Sequence, residues 1–345
     1  IDRLSDELGS ELAIMKGRVD GLEARVNTIE AGSFSETSTA SFKVNMAIGA
    51  VDGKGISTGV TDGDEAVAFQ YTFDTKIKTS FTGEDELSVA IDSGNGVSGN
   101  PVDEFGLNNT GDFLKVDGVA YKFPIGDSVT AMFADNKDAA TMFTVACAYG
   151  GPSDTLDDCG NVNAVVDNGG AMAGTEYDFG NGFTAAVGYA GPEGGIMTEE
   201  SLDATGFNAA YTGDNYGVSI TYGTLETSTT EEDTFTAFNG YYTPEGFPSI
   251  SVGYEIGEDS STSDDLTSFF VGLTFDEVGP GSAGIAMGTK TPTVEDADEE
   301  YMYEAYYSYP VNDGMTITPV VYIKESATAG QDDSTGVMVK TSFSF

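Results

Sequence analysis

Histidine and tryptophan are absent from these 345 residues, and arginine is confined to Arg3, Arg18 and Arg25. Without histidine, Ser-His-Asp and Cys-His nucleophile chemistry and histidine-ligated zinc are excluded. Basic residues are scarce: 14 Lys and Arg stand against 57 Asp and Glu, a formal net charge of −43. Such a chain repels a polyanion, so nucleic acid is not an expected partner. The same charge fits either a surface solvated in salt or divalent cations, or an electrostatic role. No run of eighteen or more apolar residues occurs, which excludes a transmembrane helix. Membrane-spanning strands alternate instead and leave mean hydropathy near neutral, as the value of −0.16 allows. Carboxylates are plentiful but gather in loop-like stretches rather than in one distinguishable pair, so paired-carboxylate hydrolysis lacks a candidate. No enzymatic activity, metal or cofactor is expected.

What is present begins with a heptad pattern. Ile1, Leu8, Met15, Leu22 and Ile29 recur every seven residues, with Ser5, Leu12, Val19 and Val26 at the second seam position. Asp6, Glu7, Glu11, Asp20 and Glu23 interleave with the three arginines along its flanks. A two-position seam with charged flanks predicts a self-associating α-helical coiled coil over 1–31 rather than a lone surface helix. Its seam residues suit a dimer and a trimer alike. The pattern opens in mid-register at Ile1, so a further N-terminal portion is expected to precede it.

After Gly32 the period changes from seven to two. Phe42, Val44, Met46 and Ile48 alternate with Ser41, Lys43, Asn45 and Ala47. Val67, Phe69, Tyr71 and Phe73 continue the pattern, as do Tyr216, Val218, Ile220 and Tyr222, and Tyr301, Tyr303, Tyr307 and Tyr309. One apolar and one polar or small face is the signature of strands. About sixteen such segments can be counted over 32–345. Their connections alternate in length: short at 124–127, 179–182, 212–215 and 310–314, long at 93–111, 135–169, 190–203, 225–233, 257–265, 289–299 and 325–334. Segregation of loop length by parity has no cause in a soluble sandwich or propeller, but outer-membrane barrels keep tight turns inside and long loops outside. The predicted fold is therefore an all-β transmembrane barrel of about sixteen antiparallel strands, preceded by a periplasmic coiled coil. The final strand, Val337, Val339, Thr341, Phe343 and Phe345, ends on phenylalanine and resembles the assembly signal of bacterial outer-membrane barrels.

Three stretches carry a family resemblance. The coiled coil followed by Ser33-Phe34-Ser35-Glu36-Thr37-Ser38-Thr39, the run Phe73-Asp74-Thr75-Lys76-Ile77-Lys78-Thr79-Ser80-Phe81-Thr82-Gly83, and Tyr121-Lys122-Phe123-Pro124-Ile125-Gly126-Asp127 resemble the porins of cyanobacterial outer membranes. That family, within the carbohydrate-selective porin superfamily, implies a homotrimer in outer-membrane lipid that passes small polar solutes and ions. It also implies a surface-layer-homology domain, ahead of the coiled coil, that holds the peptidoglycan of the cell wall. The residues given contain no such domain, and the barrel segment contains no arginine, which porin constrictions commonly use.

If Phe42, Phe73 and Phe343 face lipid, parity turns Lys43, Lys76, Lys78, Lys122, Lys324 and Lys340 inward. Glu176, Asp178 and Glu255 take the same parity on the other side, so a basic wall facing an acidic one, with a transverse field between them, is expected. Counted from a periplasmic N-terminus, 135–169 is the third outer loop, which in such porins folds into the pore as a constriction. It holds the two cysteines, Cys147 and Cys159, expected to form a disulfide in an oxidising envelope compartment, with a metal pair or redox switch as alternatives. Closing that loop would add roughly 3 kcal/mol. Asp154, Asp157 and Asp158 lie beside it and ease cation entry, whereas the lysines favour anions. The acidic runs Asp62-Gly63-Asp64 and Glu295-Asp296-Ala297-Asp298-Glu299-Glu300 lack the ligand spacing of a calcium loop and read as solvated charge. The competing reading is a structural or surface-layer envelope protein without a channel.

Overall fold

A computed structural model describes residues 38–52, 66–97, 102–166, 169–198, 201–262, 264–294, 297–326 and 332–345. The heptad segment 1–31 and the boundary after it lie outside the described residues. The strands are β1 (Ser38–Asp52), β2 (Ala66–Thr79), β3 (Glu86–Gly94), β4 (Lys115–Ile125), β5 (Val129–Lys137), β6 (Gly170–Gly180), β7 (Phe183–Gly191), β8 (Ala204–Thr212) and β9 (Tyr216–Ser228). They continue with β10 (Glu231–Tyr242), β11 (Ser249–Asp259), β12 (Asp264–Val278), β13 (Gly281–Thr289), β14 (Thr293–Val294), β15 (Tyr301–Asn312), β16 (Met315–Lys324) and β17 (Ser334–Ser344). Sixteen make the wall, each antiparallel to its neighbours; β14 is a two-residue strand that pairs with the upper end of β12.

The sheet closes on itself. β1 pairs with β2 on one side and with β17 on the other, from Lys43 opposite Ser344 to Asp52 opposite Thr335. Closure removes the open edge, so every strand finds backbone partners on both sides without water, which a hydrocarbon medium demands. Alternation then sorts the side chains. On β1, Asn45, Ala47, Gly49 and Val51 are buried inward, while Met46 and Ile48 point outward, 43% and 49% exposed. Around the wall the outward positions carry large apolar residues, such as Val67, Phe69, Phe133, Phe207, Ile220, Val252 and Ile285. An apolar belt of that extent requires lipid or a partner. At the short-turn end aromatic rings meet in pairs: Phe42 with Phe345 (5.6 Å), Tyr177 with Phe179 (4.5 Å) and Phe183 with Tyr211 (4.6 Å). This resembles the interfacial girdle of membrane barrels.

Loop lengths depart from the expected alternation in two places. The stretches 225–233 and 257–265 are tips of long hairpins: β9 and β10 pair up to Ser228 opposite Glu231, and β11 and β12 up to Asp259 opposite Asp264. Their threonines, serines and carboxylates resemble loop composition, yet β-branched threonine pairs well in a strand that stands in water above the lipid.

Candidate pore and its two inward loops

The nine inward-parity residues share the inner face with buried neighbours: Lys43 with Asn45, Lys76 and Lys78 with Gln70 and Thr72, Lys122 with Ala120, Glu176 and Asp178 with Met172, Glu255 with Ser251, Lys324 with Tyr322, and Lys340 with Met338. Most are not free charges. Lys43 stands opposite Asp74 on the adjacent strand, and Lys78 is paired with Glu86 at 2.8 Å. Lys122 stands opposite Glu86 from the other side, and Lys324 is ion-paired with Glu104. Lys340 places its ammonium 4.9 Å from the centre of the Phe105 ring. Asp74, Glu86 and Glu104 were not among the sequence candidates. They stand beside Lys43, Lys78, Lys122 and Lys324, so carboxylates meet part of the lysine row on its own side of the barrel.

The 138–169 loop runs along the inner wall. Going out, Thr144 N donates to Asn208 Oδ1 on β8 (3.0 Å), Ala146 N to Ser219 Oγ on β9 (2.9 Å) and Ala148 N to Ser251 Oγ on β11 (2.9 Å). Thr274 Oγ1 on β12 donates to Ala148 O, and Tyr149 OH donates to Glu304 Oε1 on β15 at 2.5 Å. The chain turns at 150–158 and comes back: Asn239 Nδ2 donates to Cys159 O, Ser268 Oγ to Gly160 O, and Asn161 Nδ2 to Thr221 Oγ1. Each outward step uses a small polar side chain on the wall to satisfy a loop amide that would otherwise be buried without a partner. Glycines let the two backbones touch. A Cβ on Gly188 would lie 1.8 Å from Ala139 O, and one on Gly253 1.7 Å from Cys159 O. Cys147 and Cys159 are disulfide-bonded and tie the outgoing leg to the returning one.

Glu255 is covered by this loop. Only 2% exposed, it accepts from Asn163 N (2.9 Å), Asn163 Nδ2 (3.0 Å) and Ala164 N (2.8 Å). Its parity is inward, but it faces loop backbone rather than water, so it anchors the loop.

A second loop enters the lumen, where the sequence pattern indicates only a long connection. In 95–114, Val102 and Phe105 are buried, and Asp103–Phe105 form a short 3-10 turn. Val102 packs beside Gly49 and Met338, on β1 and β17. The two loops meet at Glu104: its backbone oxygen accepts from Asp154 N (2.8 Å), and its carboxylate accepts from Thr155 Oγ1 (2.8 Å) as well as from Lys324. Between loops and wall lies a continuous apolar cluster that includes Tyr149, Leu156, Phe270, Met302, Val320 and Met338. The apolar residues Val102, Phe105 and Leu107, spaced through a polar loop, were the available signal for its inward course.

At the turn of the longer loop Asp154, Asp157 and Asp158 keep side-chain surface open to solvent, while neighbouring protein atoms crowd the carboxyls of Asp154 and Asp157 from the other side. Burial by surrounding protein, then the neighbouring charge of Glu104, raises the Asp154 carboxyl above its ordinary range. The same burial, with Asp154 beside it, pushes Asp157 up to about 6. Burial and Glu304 push the Tyr149 hydroxyl up, so it stays a hydrogen-bond donor. Among the described residues no cluster of His, Cys, Asp and Glu forms a metal-binding set.

No family model matches the chain. An uncharacterized protein of Nostoc sp. is 26% identical across the whole of this chain and 72% of its own length. An uncharacterized protein of Synechocystis sp. is 23% identical across the whole chain and 76% of its own. Among solved structures, Pseudomonas putida OprB superposes with a TM-score of 0.66 at 10% identity, covering 90% of this chain and 94% of that one. An anion-selective porin from Comamonas acidovorans gives 0.64 at 13%, covering 90% and 99%. A mutant of the Rh. blastica porin gives 0.59 at 13%, covering 89% and 100%. At such identities the likeness is one of fold: the chain carries the closed, sixteen-stranded antiparallel barrel of bacterial porins.

Proposed function

We propose that this chain is an outer-membrane porin through which ions and small polar solutes diffuse down their gradients, without enzymatic turnover. The observation that carries the reading is the pairing of an apolar outer belt with a polar, loop-narrowed interior inside a closed wall. Sixteen strands enclose more space than wall side chains can fill, so the interior is left to loops and water. The 138–169 loop is the constriction, with the 95–114 loop as a second element beside it. The aromatic-rimmed short-turn end faces the periplasm, where the heptad segment would extend towards the cell wall, and three barrels associate in the membrane. The similar proteins of Nostoc and Synechocystis support a cyanobacterial setting.

The test is planar-bilayer recording of purified, heat-modifiable protein. Conductance steps arriving in groups of three are expected from a trimer of open channels. Folded protein that inserts but passes no current would overturn the reading and leave a structural envelope protein.

A further inference from the structure

We infer that the constriction prefers small cations, and that Asp154 and Asp157 of the 138–169 loop are the residues that set this preference; the inference rests on the porin reading above. The fold does not decide the matter, since one of the similarly folded structures is an anion-selective porin. Charge cancellation at the eyelet does.

The groups that meet there come from several elements. The 95–114 loop contributes Asp103 and Glu104, the 138–169 loop Asp154, Asp157 and Asp158, and β15 contributes Glu304. Against them stand Lys324 of β16, Lys340 of β17 and Lys43 of β1. Lys324 is consumed by Glu104 and Lys43 is opposed by Asp74. Lys340 lies over Phe105, and its charged neighbours are Lys43, Glu304 and Asp157. Neither Asp154 nor Asp157 is in any of the three ion pairs formed by the described residues, and both stand exposed at the loop turn. Six carboxylates therefore meet three lysines at the eyelet, one of which is ion-paired with Glu104 and another opposed by Asp74, so the balance there is acidic.

Distance makes these two decisive. The Debye length is about 8 Å at physiological salt, so the acidic outer loops are screened from the eyelet, whereas groups lining it are not. A unit charge about 6 Å from a permeating ion changes the local ion concentration by about threefold even at the dielectric of bulk water. Each charge raises cations and lowers anions, and screening over a Debye length of about 8 Å roughly halves the interaction, so removing both carboxylates should lower the cation-to-anion permeability ratio by about tenfold. The raised range of both carboxyls gives an independent handle, because protonation performs the same neutralisation without a substitution.

The experiment is the reversal potential of the reconstituted full chain in a tenfold KCl gradient. For the unmodified protein at pH 7.5, potassium should permeate in preference to chloride, and the ratio should fall as pH drops through about 6. Asp154→Asn with Asp157→Asn should bring the ratio close to one and flatten that pH dependence. Anion preference in the unmodified protein, or an unchanged ratio in the double variant, would overturn the inference while conductance itself still supports a porin. A complete lack of conductance from inserted protein would remove both. If the double variant does not assemble, the pH titration of the unmodified channel decides alone, since a ratio flat from pH 7.5 to 5 refutes the assignment.

Discussion

Glu255 separates two accounts of the same carboxylate. If it lined the channel, neutralising it would change ion selectivity and leave the loop in place. As an anchor it should do the reverse. Three donors converge on it, Asn163 N, Asn163 Nδ2 and Ala164 N, at 2.8–3.0 Å, and it is 2% exposed. In Glu255→Ala those donors lose their acceptor inside the barrel, where each unmet donor costs about 1–3 kcal/mol. Relaxation and entering water recover part of this, so a net loss of about 3 kcal/mol is reasonable for a buried, charge-assisted anchor whose partner is removed. That weakens attachment of the returning leg by about a hundredfold. Glu255→Gln keeps one acceptor oxygen but turns an amide nitrogen towards the donors, and should lose about half as much. Single-channel recording reads this directly: the alanine variant should show larger mean conductance and added current noise, with the glutamine variant between it and the parent. Limited proteolysis should cut the variant within 143–166 where the parent is resistant. Unchanged conductance, noise and proteolysis together with an altered reversal potential would refute the anchor account.

Three other perturbations test the same framework. Replacing Cys147 and Cys159 by serine, or reducing them, should remove roughly 3 kcal/mol of loop-closure stabilisation, seen as proteolytic cutting of the loop turn while the barrel stays heat-modifiable on a gel. Burial alone would push the Asp85 carboxyl up, but donors from Ser80, Phe81, Thr82 and Tyr121 hold it well below the usual carboxylate range. Its folded value thus lies below its unfolded one, so its contribution is full above about pH 4 and is lost as pH falls further; Asp85→Asn should flatten the acid limb of a pH–stability profile. Leu156→Ala, in the lumenal cluster, should cost about 2–5 kcal/mol in unfolding experiments, whereas Val252→Ala on the outer belt should cost well under half of that.

Much of the wall was legible because its physics is periodic. A strand with one face in lipid repeats every two residues, and a single phase, such as that of Phe42 and Lys43, fixes the side on which every residue of that strand stands. The disulfide partners and a long connection were legible from composition and loop order, though the expected 135–169 begins only at 138 because β5 runs on to Lys137. The course of the loops was not. Whether a lumen carboxylate faces water or backbone depends on contacts between residues far apart in sequence, such as Glu255 with Asn163 and Glu104 with Lys324. No local pattern encodes such contacts. The hairpin tips at 225–233 and 257–265 failed for another reason: beyond the lipid the outward face no longer needs apolar side chains, so strand and loop share one composition.

The two loops also solve a packing problem that the barrel creates. In a soluble domain the largest apolar cluster holds the sheets together; here the wall turns most of its large apolar residues outward, and the inner face over β7–β13 is mostly Gly, Ala, Ser and Thr, with Phe235 and Phe270 as its large buried apolar residues. A wall of small residues cannot form a core with itself across so wide a lumen. The apolar residues that are buried inside, Val102, Phe105, Tyr149 and Leu156, are brought there by the loops and find Phe270, Met302, Val320 and Met338 on the wall. Small wall residues are then a requirement, because the close approaches at Gly188 and Gly253 leave no room for a Cβ. It follows that pore width and internal packing draw on the same side chains. A substitution that widens the eyelet by loosening a loop also exposes that cluster to water, so conductance and stability should move in opposite directions across variants of these two loops. Variants such as Asp154→Asn, which alter charge outside the cluster, should change selectivity with little effect on either.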